Sequence, residues 1–448
     1  MMNREQILAA VDRHREKILA AERWLWAHPE TGYREWQTHA WLAEQFEAMG
    51  YTLRPAGNIP GFVTDIDTGR PGPCVAVFGE MDALLIAEHP DADPDTHAVH
   101  ACGHHAQCAG LLGVAAALKE PGVLDGLSGS IRLCAVPAEE LIEIEYREEL
   151  RRQGVIRYLG GKVEFLHRGL LDGVDMAFML HTSAGDSDFY VTKGSNGCIV
   201  KNVAYQGRAI HASQPYWGIN ALYAADLGMQ AINALRETFR DEDHIRVHPI
   251  ITAGGAAVNA IPSDVRMESY VRGENMDAIV RANQKVNRAL AASAAAMGAK
   301  VELRDIPGYF PMHNDPTLMK YFMEVSQSMS PGRVEDGGVW SMGCTDMGDM
   351  SSVMPIIQPY ACGAAGGSHG ANYCIKDPVR ACVNAAKAQT LLLHRLLQDD
   401  AAAAREVLKN ARPPFATREA YFAAVDALRM EQQAVTYEED GSVTLRYK

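Results

Sequence analysis

A cysteine and a histidine with the spacing of metal ligands lie in the segment HACGHH, residues 100–105. Cys102 and His104 are two residues apart and directly precede an apolar segment that is typical of a helix. A thiolate and a neutral imidazole are good ligands for zinc and related divalent cations, and a helix N-terminus stabilises the thiolate. The pair alone is weak evidence, because a buried cysteine beside a histidine that caps a helix has the same spacing.

Two adjacent carboxylates, Glu139 and Glu140, follow an apolar strand in the segment PAEE at 137–140. Charge at the end of a buried strand needs a partner. Adjacent residues at a strand exit point in different directions, so one carboxylate can bind metal while the other faces a substrate. By itself the pair would also fit a solvated turn.

Two further histidines lie at the ends of apolar segments. His181 ends a strand, and His369 lies in the glycine-rich loop GGSHGANY. Either one alone is more often a hydrogen-bonded structural residue than a ligand. Together with Cys102, His104 and Glu140 they make five ligand-type side chains, enough for one closed site or for two metal ions that share a ligand.

The elements that must position these residues alternate between strand and helix. Apolar strands are predicted at 74–79, 130–136 and 176–180, and an apolar helix at 109–118. This alternation predicts an α/β fold with a mainly parallel sheet flanked by helices. Ligands of such sheets bind at the carboxyl ends of the strands. Because GEMDAL, PAEE and His181 each follow one strand, we expect three polar clusters at one edge of the sheet.

The pattern changes at about residue 195. Residues 195–308 show the order strand, helix, strand, strand, helix, strand, which predicts an antiparallel sheet with helices on one face. We therefore expect an inserted α+β domain at 195–308 and a discontinuous metal-binding catalytic domain at 1–194 and 309–448. Residues 4–50 add two helical stretches that end at Gly50.

The bulk composition argues against several classes of protein. The net charge is −14 and Lys and Arg are not clustered, so a surface for nucleic acid is not expected. No apolar run approaches the roughly 20 residues that span a bilayer, which argues against a membrane partner. The N-terminus lacks the apolar core of a signal peptide, and nine scattered cysteines fit a reducing compartment. We expect a cytoplasmic protein that acts on a small molecule.

Seven motifs, in the family order, make the sequence similar to the metallopeptidase family of aminoacylases, hippurate and indoleacetyl-amino-acid hydrolases, and p-aminobenzoyl-glutamate hydrolases. The resemblance covers roughly residues 5–395. The motifs are GEMDAL (79–84), HACGHH (100–105), PAEE (137–140), LHT (180–182), AIHASQPYWGINAL (209–222), AVNAIP (257–262) and VR (271–272).

The resemblance implies a metal centre with one or two divalent ions per subunit, zinc or manganese, with cobalt as a further option. Cys102 would bridge two ions. His104 and Glu140 would complete one site, and His181 and His369 the other.

The resemblance also implies the residues that act on the substrate. Glu139 would be the general base, and Asp82 would orient a metal ligand. Residues 195–308 resemble the family's lid or dimerisation domain, which offers His211 to the substrate, often across a dimer interface. A homodimer or higher homo-oligomer is therefore expected. Asn259 and Arg272 would bind the substrate's carboxylate or the reacting carbonyl; without the family, a turn and a surface ion pair explain them equally well.

The sequence departs from the family at three places. His105 stands where many relatives have Asp. The common Ser-Glu-Asp-Phe motif is replaced by GCTDMGDMS at 343–351, which is more similar to the p-aminobenzoyl-glutamate hydrolase branch. The segment after Glu140 is long and charged, and it could cover the mouth of an active site.

These observations predict a metal-dependent amidohydrolase that cleaves an N-acyl or N-aroyl amino acid, p-aminobenzoyl-glutamate or a related compound, with metal-activated water. Two alternatives stay open. The same water could remove an amine from an aromatic ring, which would make the protein a hydrolytic deaminase. A non-catalytic, metal-dependent binding protein would keep the fold without turnover, although it would have no use for Glu139.

Overall fold

The computed structural model describes residues 2–447, which form two compact units. The first unit contains residues 2–194, 313–340 and 349–414. The second contains residues 195–312, 341–348 and 415–447. Residues 309–312, 341–348 and 415–447 thus lie in the second unit, although the predicted boundaries assigned them to the catalytic domain. Residues 415–447 join it by strand pairing, because Met430–Gln433 pairs antiparallel with Lys300–Pro307 of the second unit.

A six-stranded mixed sheet lies at the centre of the first unit. Its order is Arg54–Pro55, Phe62–Asp67, Ser130–Val136, Cys74–Glu80, Met176–Phe178, Ile356–Ile357. The strand Cys74–Glu80 is buried along its whole length and runs parallel to both of its neighbours. Its continuous apolar sequence is typical of a strand that is covered on both faces. The sheet is mixed, because Phe62–Asp67 pairs antiparallel with both of its neighbours, Arg54–Pro55 and Ser130–Val136.

A second sheet in this unit determines where two of the predicted ligands lie. Its strands are His181–Ala184, Phe189–Val191, Val334–Asp336, Tyr360–Ala365 and Cys374–Ile375. The predicted strand at 176–180 ends at Phe178, and His181 is the first residue of a new strand. His181–Ala184 runs parallel to Tyr360–Ala365, which leads into the loop that carries His369. A short hairpin pairs Leu84–Leu85 with Ala98–Val99.

Helices surround these sheets. Those of the first unit are Arg4–Asp12, Arg15–Trp26, Trp36–Ala48, His104–Leu118, Ile144–Arg152, Gly161–His167, Pro316–Met329 and Asn384–Asn410. Every residue of His104–Leu118 is buried, so this helix extends the predicted segment 109–118 toward its N-terminus. Asn3 and Gln6 form a capping box that begins the chain's first helix. Within residues 2–447, no helix combines the length and the apolar character that a bilayer-spanning segment requires.

The second unit contains an antiparallel sheet with helices on one face. The strand order is Arg246–Val247, Asp264–Gly273, Gly197–Gln206, Lys300–Pro307, Met430–Gln433, and Ile250–Ala253 also pairs with Asp264–Gly273. Its helices are Ala221–Leu235, Met276–Ala296 and Arg418–Asp426. Burial alternates along Asp264–Gly273, because one face packs against Ala221–Leu235 and Met276–Ala296 while the other remains partly exposed. A terminal hairpin pairs Val435–Tyr437 with Val443–Leu445.

Short elements lie where the chain passes from one unit to the other. They are the strands Gly194–Ser195, Met312–His313 and Trp340–Ser341 and the helix Met347–Ser351.

Candidate metal centre

The N-terminus of the buried helix His104–Leu118 positions the first two ligand-type side chains. Gly103 is the N-cap, with a φ of 101°. A Cβ atom at this position would collide with the hydroxyls of Thr182 and Tyr373. Those hydroxyls lie 2.7 Å apart, and the Tyr373 hydroxyl donates to the Cys102 carbonyl at 3.3 Å. Glycine therefore allows Cys102 to lie directly against the strand that begins at His181.

Three groups of side chains in the described part of the chain have ligand atoms within 4.8 Å of one another. They are Cys102, His104 and His181; Cys102, Glu140 and His369; and Glu80, His104 and Glu139. Cys102 Sγ lies 3.4 Å from His181 Nε2. His369 Nε2 lies 3.3 Å from Glu140 Oε1. All five predicted ligand residues are thus brought together around one shared thiol.

The partition of these ligands differs from the one that the resemblance implied. His104 lies with His181, and Glu140 lies with His369, rather than His104 with Glu140. The chain path explains the difference. The helix start that carries His104 faces the strand of His181, while the N–H of His369 donates to the Ala101 carbonyl at 2.9 Å.

The residues present fit a divalent metal ion. His104 Nε2 and Glu140 Oε1 are buried atoms that form no well-aligned hydrogen bond; their neighbours are the ionisable groups Glu80 Oε2 at 3.1 Å and His369 Nε2 at 3.3 Å. Buried polar atoms of this kind need a partner, and a metal ion is one. The donor set of one thiol, three imidazoles and a carboxylate matches the preference of zinc and similar borderline cations.

Electrostatic interactions within this cluster favour the ionised forms of the Cys102 thiol and the Glu140 carboxylate. Burial and the charge of Glu140 raise the pKa of the Cys102 thiol, but His104 and His181 lower it further, to about 6. Burial also raises the pKa of Glu140, yet the close contact with His369 lowers it to about 2. A thiolate and an ionised carboxylate are the protonation states that bind metal.

Asp82 connects two of the ligands. It is fully buried, and its Oδ1 lies 3.0 Å from Nδ1 of His104. Its Oδ2 accepts a 2.8 Å hydrogen bond from the Glu140 N–H. One carboxylate therefore fixes the ring orientation of His104 and the backbone of Glu140 together, as a group that orients metal ligands does.

A buried ion pair lies beneath the cluster. Lys162 donates to Glu80 Oε1, and both side chains are fully buried. Gln107 donates to Glu80 Oε2 at 2.8 Å, and that oxygen also lies 3.1 Å from His104 Nε2. Burial raises the pKa of Glu80, but the charges of Lys162 and His104 lower it to about 2. Glu80 is therefore an ionised group in the interior.

Buried side chains stabilise the turn that carries the two adjacent carboxylates. Ala138 has a φ of 58°, and its N–H donates to Glu35 at 2.8 Å. Arg147, fully buried, donates to the carbonyls of Ala138, Glu140 and Leu159. The segment after Glu140 thus places one guanidinium beneath the turn, where it satisfies three backbone carbonyls.

His105 lies behind the cluster and does not join its ligand groups as found in residues 2–447. Its ring packs 4.9 Å from Trp26 and 5.2 Å from His100, centroid to centroid. Its Nε2 lies 3.5 Å from Glu22. Burial lowers the pKa of His105 despite Glu22, so the ring is a neutral part of the packing behind the helix start.

The predicted substrate residues lie in the second unit. His211 is exposed, with its Nδ1 2.7 Å from the Ser213 hydroxyl. The Ala212 N–H donates to the Asn259 carbonyl at 2.9 Å, so the loops of His211 and Asn259 are neighbours. Arg272 lies on the partly exposed face of the sheet, with its guanidinium carbon 5.1 Å from the Tyr270 ring centre.

Sequence reasoning missed four buried residues that support the centre. They are Glu35, Glu80, Arg147 and Lys162. The role of Glu80 could have been predicted, because it is a charged residue at the end of an apolar strand, two positions before Asp82. Arg147 and Lys162 had no such signal, since nothing in the sequence distinguishes them from the other arginine and lysine residues that follow Glu140.

Comparison with known proteins identifies the family. The sequence profile of peptidase family M20/M25/M40 matches residues 76–395. The chain belongs to this family. The Xaa-Arg dipeptidase of Homo sapiens is 28% identical over 364 residues, which cover 78% of this chain and 77% of the relative. The N-acetyl-L-cysteine deacetylase of Bacillus subtilis is 29% identical over 317 residues, covering 68% and 70%.

A solved structure shows the same fold. A dinuclear metal-binding peptidase of the M20 family from Bacillus subtilis aligns over 87% of this chain and 99% of its own, with a TM-score of 0.63 and 21% identity. The predicted family resemblance is confirmed. This M20 chain is a hydrolase of amide C–N bonds from a family that depends on divalent metal, and it contains groups of residues suited to hold that metal.

Proposed function

We propose that this M20 chain is an amidohydrolase that cleaves the amide bond of N-acyl or N-aroyl amino acids, p-aminobenzoyl-glutamate among them. The observation that carries the proposal is the convergence of Cys102, His104, Glu140, His181 and His369 beside a further carboxylate, Glu139. A pure binding site has no use for that additional carboxylate. We assign the five convergent residues to metal binding.

The mechanism follows from the placement of Glu139. When bound by the five ligand residues, a divalent cation would supply Lewis acidity toward water and toward the carbonyl of the substrate. Glu139 is buried, and its Oε2 lies 3.8 Å from His104 Nε2. Its carboxylate accepts the proton of the attacking water and returns it to the leaving nitrogen. Asp82 holds His104 and Glu140 in place during this step.

Metal analysis combined with a substrate panel tests the proposal. We expect one or two equivalents of divalent metal per chain after purification without chelator. N-acyl, N-aroyl and p-aminobenzoyl amino acids should be hydrolysed, a chelator should abolish turnover, and zinc or manganese should restore it. Protein that binds no metal and remains inactive after metal is added would contradict the proposal. Release of ammonia from aminoaryl acids without amide cleavage would indicate a deaminase instead.

We further propose that His211 stabilises the reacting carbonyl. His211 lies outside the metal-ligand groups, so His211→Ala should lower kcat by about 10²–10³-fold, the usual cost of losing one such donor. Metal content should stay unchanged. His244→Ala is the matched control, because His244 is a partly exposed histidine of the same unit that pairs with Glu274. Metal loss in His211→Ala would contradict the assignment.

A homodimer in which His211 reaches the partner's active site is the assembly that we propose. The second unit exposes the large apolar residues Tyr216, Trp217, Tyr223 and Val258, which are suited to such an interface. Coexpressed His211→Ala and Glu139→Gln chains should then regain part of the activity, because one site of the mixed dimer is complete. Absence of complementation in a verified mixed dimer would place His211 in its own subunit's site.

A further inference from the structure

A cavity of 340 Å³ lies on the second unit's sheet, on the face opposite the helices. It is lined by Arg246, His248, Glu268, Tyr270 and Arg272, together with apolar and small residues. Glu268, Tyr270 and Arg272 alternate along one strand, so all three point to the same side. The floor of the cavity is therefore formed by charged side chains of the sheet.

Two arginines are direct neighbours in this floor. Arg246 and Arg272 are cross-strand partners in the antiparallel pairing of their strands. Like charges directly opposite each other destabilise a sheet. Within residues 2–447, Arg246 forms no ion pair, and its Nη1 donates only to the carbonyl of its neighbour Ile245, at 2.9 Å. An anionic ligand bound at this pair would offset the repulsion between the two guanidinium groups.

The charge balance of the cavity favours an anionic ligand. Two guanidinium groups face one carboxylate, Glu268, which leaves a net positive charge in a protein whose net charge is −14. Guanidinium groups bind carboxylates through paired hydrogen bonds. Side chains directly opposite on neighbouring strands are about 5 Å apart at Cβ, so the two groups can bind two carboxylates of one small molecule.

We propose that Arg246 and Arg272 form a dicarboxylate site that selects N-acyl derivatives of acidic amino acids. Arg272 binds one carboxylate, and Arg246 binds the second carboxylate that distinguishes glutamate or aspartate from neutral amino acids. This inference rests on the proposed amidohydrolase function. It adds Arg246 as the residue that determines specificity.

Two isosteric substrates test the inference in the metal-loaded, full-length protein. N-acetyl-L-glutamate and N-acetyl-L-glutamine differ only in the second carboxylate. We expect wild type to prefer the glutamate compound at least tenfold in kcat/KM. Arg246→Gln should lower this ratio by about 10–100-fold, and Arg246→Lys should restore part of it, because lysine keeps the charge and loses the fork geometry. The effect should fall mainly on KM.

A control variant removes the same charge elsewhere. Arg288→Gln changes an exposed arginine on the helix Met276–Ala296, away from the cavity face, and should leave the ratio unchanged. An equal fall in Arg288→Gln would show a general charge effect and overturn the inference. A ratio that Arg246→Gln leaves intact would overturn it too, as would a wild-type preference for N-acetyl-L-arginine, which Glu268 would then bind.

A binding measurement separates this inference from the proposed function. Glutarate and butyrate differ by one carboxylate and contain no amide bond. Calorimetry should show that wild type binds glutarate at least tenfold more tightly than butyrate, and that Arg246→Gln loses this difference. If no substrate is hydrolysed but the glutarate difference persists, only the proposed function fails. If hydrolysis occurs and glutarate binds no better than butyrate, only the dicarboxylate site fails.

Discussion

Replacing Glu139 with glutamine lowers kcat by about 10²–10⁴-fold, the usual contribution of a positioned general base. The substitution keeps the size of the side chain and removes its ability to accept a proton. The five residues that we assign to metal binding remain, so metal content should equal that of wild type. Steady-state kinetics with elemental analysis of the same sample provide the measurement.

The control and the contradicting outcome both follow from the geometry around Glu139. Glu149→Gln makes the same change on an exposed side chain of the helix Ile144–Arg152 and should leave kcat unchanged. Glu139 also lies in a group with Glu80 and His104 whose atoms are close enough to hold a metal. If Glu139→Gln loses metal along with activity, Glu139 is a ligand and the base must be sought elsewhere.

Lys162→Met should have the largest effect on stability. Lys162 and Glu80 are both fully buried, and removing one partner leaves an uncompensated charge in the interior. Such a change costs about 3–5 kcal/mol of the free energy of unfolding. Urea denaturation of the full-length protein, followed by circular dichroism, measures the loss.

A double variant shows whether the loss comes from the unpaired charge. Lys162→Met combined with Glu80→Gln replaces the ion pair with neutral groups and should recover a large part of the stability. Lys320→Met is the surface comparison, because Lys320 and Glu406 pair at 3.7 Å while both are largely exposed, and its effect should be much smaller. Equal destabilisation by the single and double variants would show that packing dominates at this site.

The sequence allowed the central part of the metal centre to be predicted because its ligands follow strongly patterned elements. Cys102 and His104 lie at the start of a largely apolar helix, and Glu140 follows a strand whose last residues are apolar. Polar residues at such positions stand out against their surroundings. The strand and helix alternation likewise predicted the α/β class, although the antiparallel strand Phe62–Asp67 makes the sheet mixed.

Other features depend on contacts between distant segments, which local patterns do not encode. Arg147 and Lys162 become supporting residues only when their segment folds beneath the carboxylate turn. The break between Met176–Phe178 and His181–Ala184 depends on the second strand's pairing with Tyr360–Ala365. Residues 415–447 join the second unit through the short strand Met430–Gln433, whose exposed, polar sequence gives little signal.

The order of the ligands along the chain has a consequence for biosynthesis. Four of them lie between Cys102 and His181, but His369 follows only after the 118 residues of Ser195–Met312 and the segment His313–Trp340. During synthesis, four of the five ligand residues therefore emerge from the ribosome long before His369 does. Closing so long a loop is slow, and metal binding depends on the folded ligand set. The nascent first unit should stay incomplete and open to proteases until residues near 369 emerge. Chains truncated before this point should lack the group of Cys102, Glu140 and His369, and should gain less stability from metal than the full-length protein.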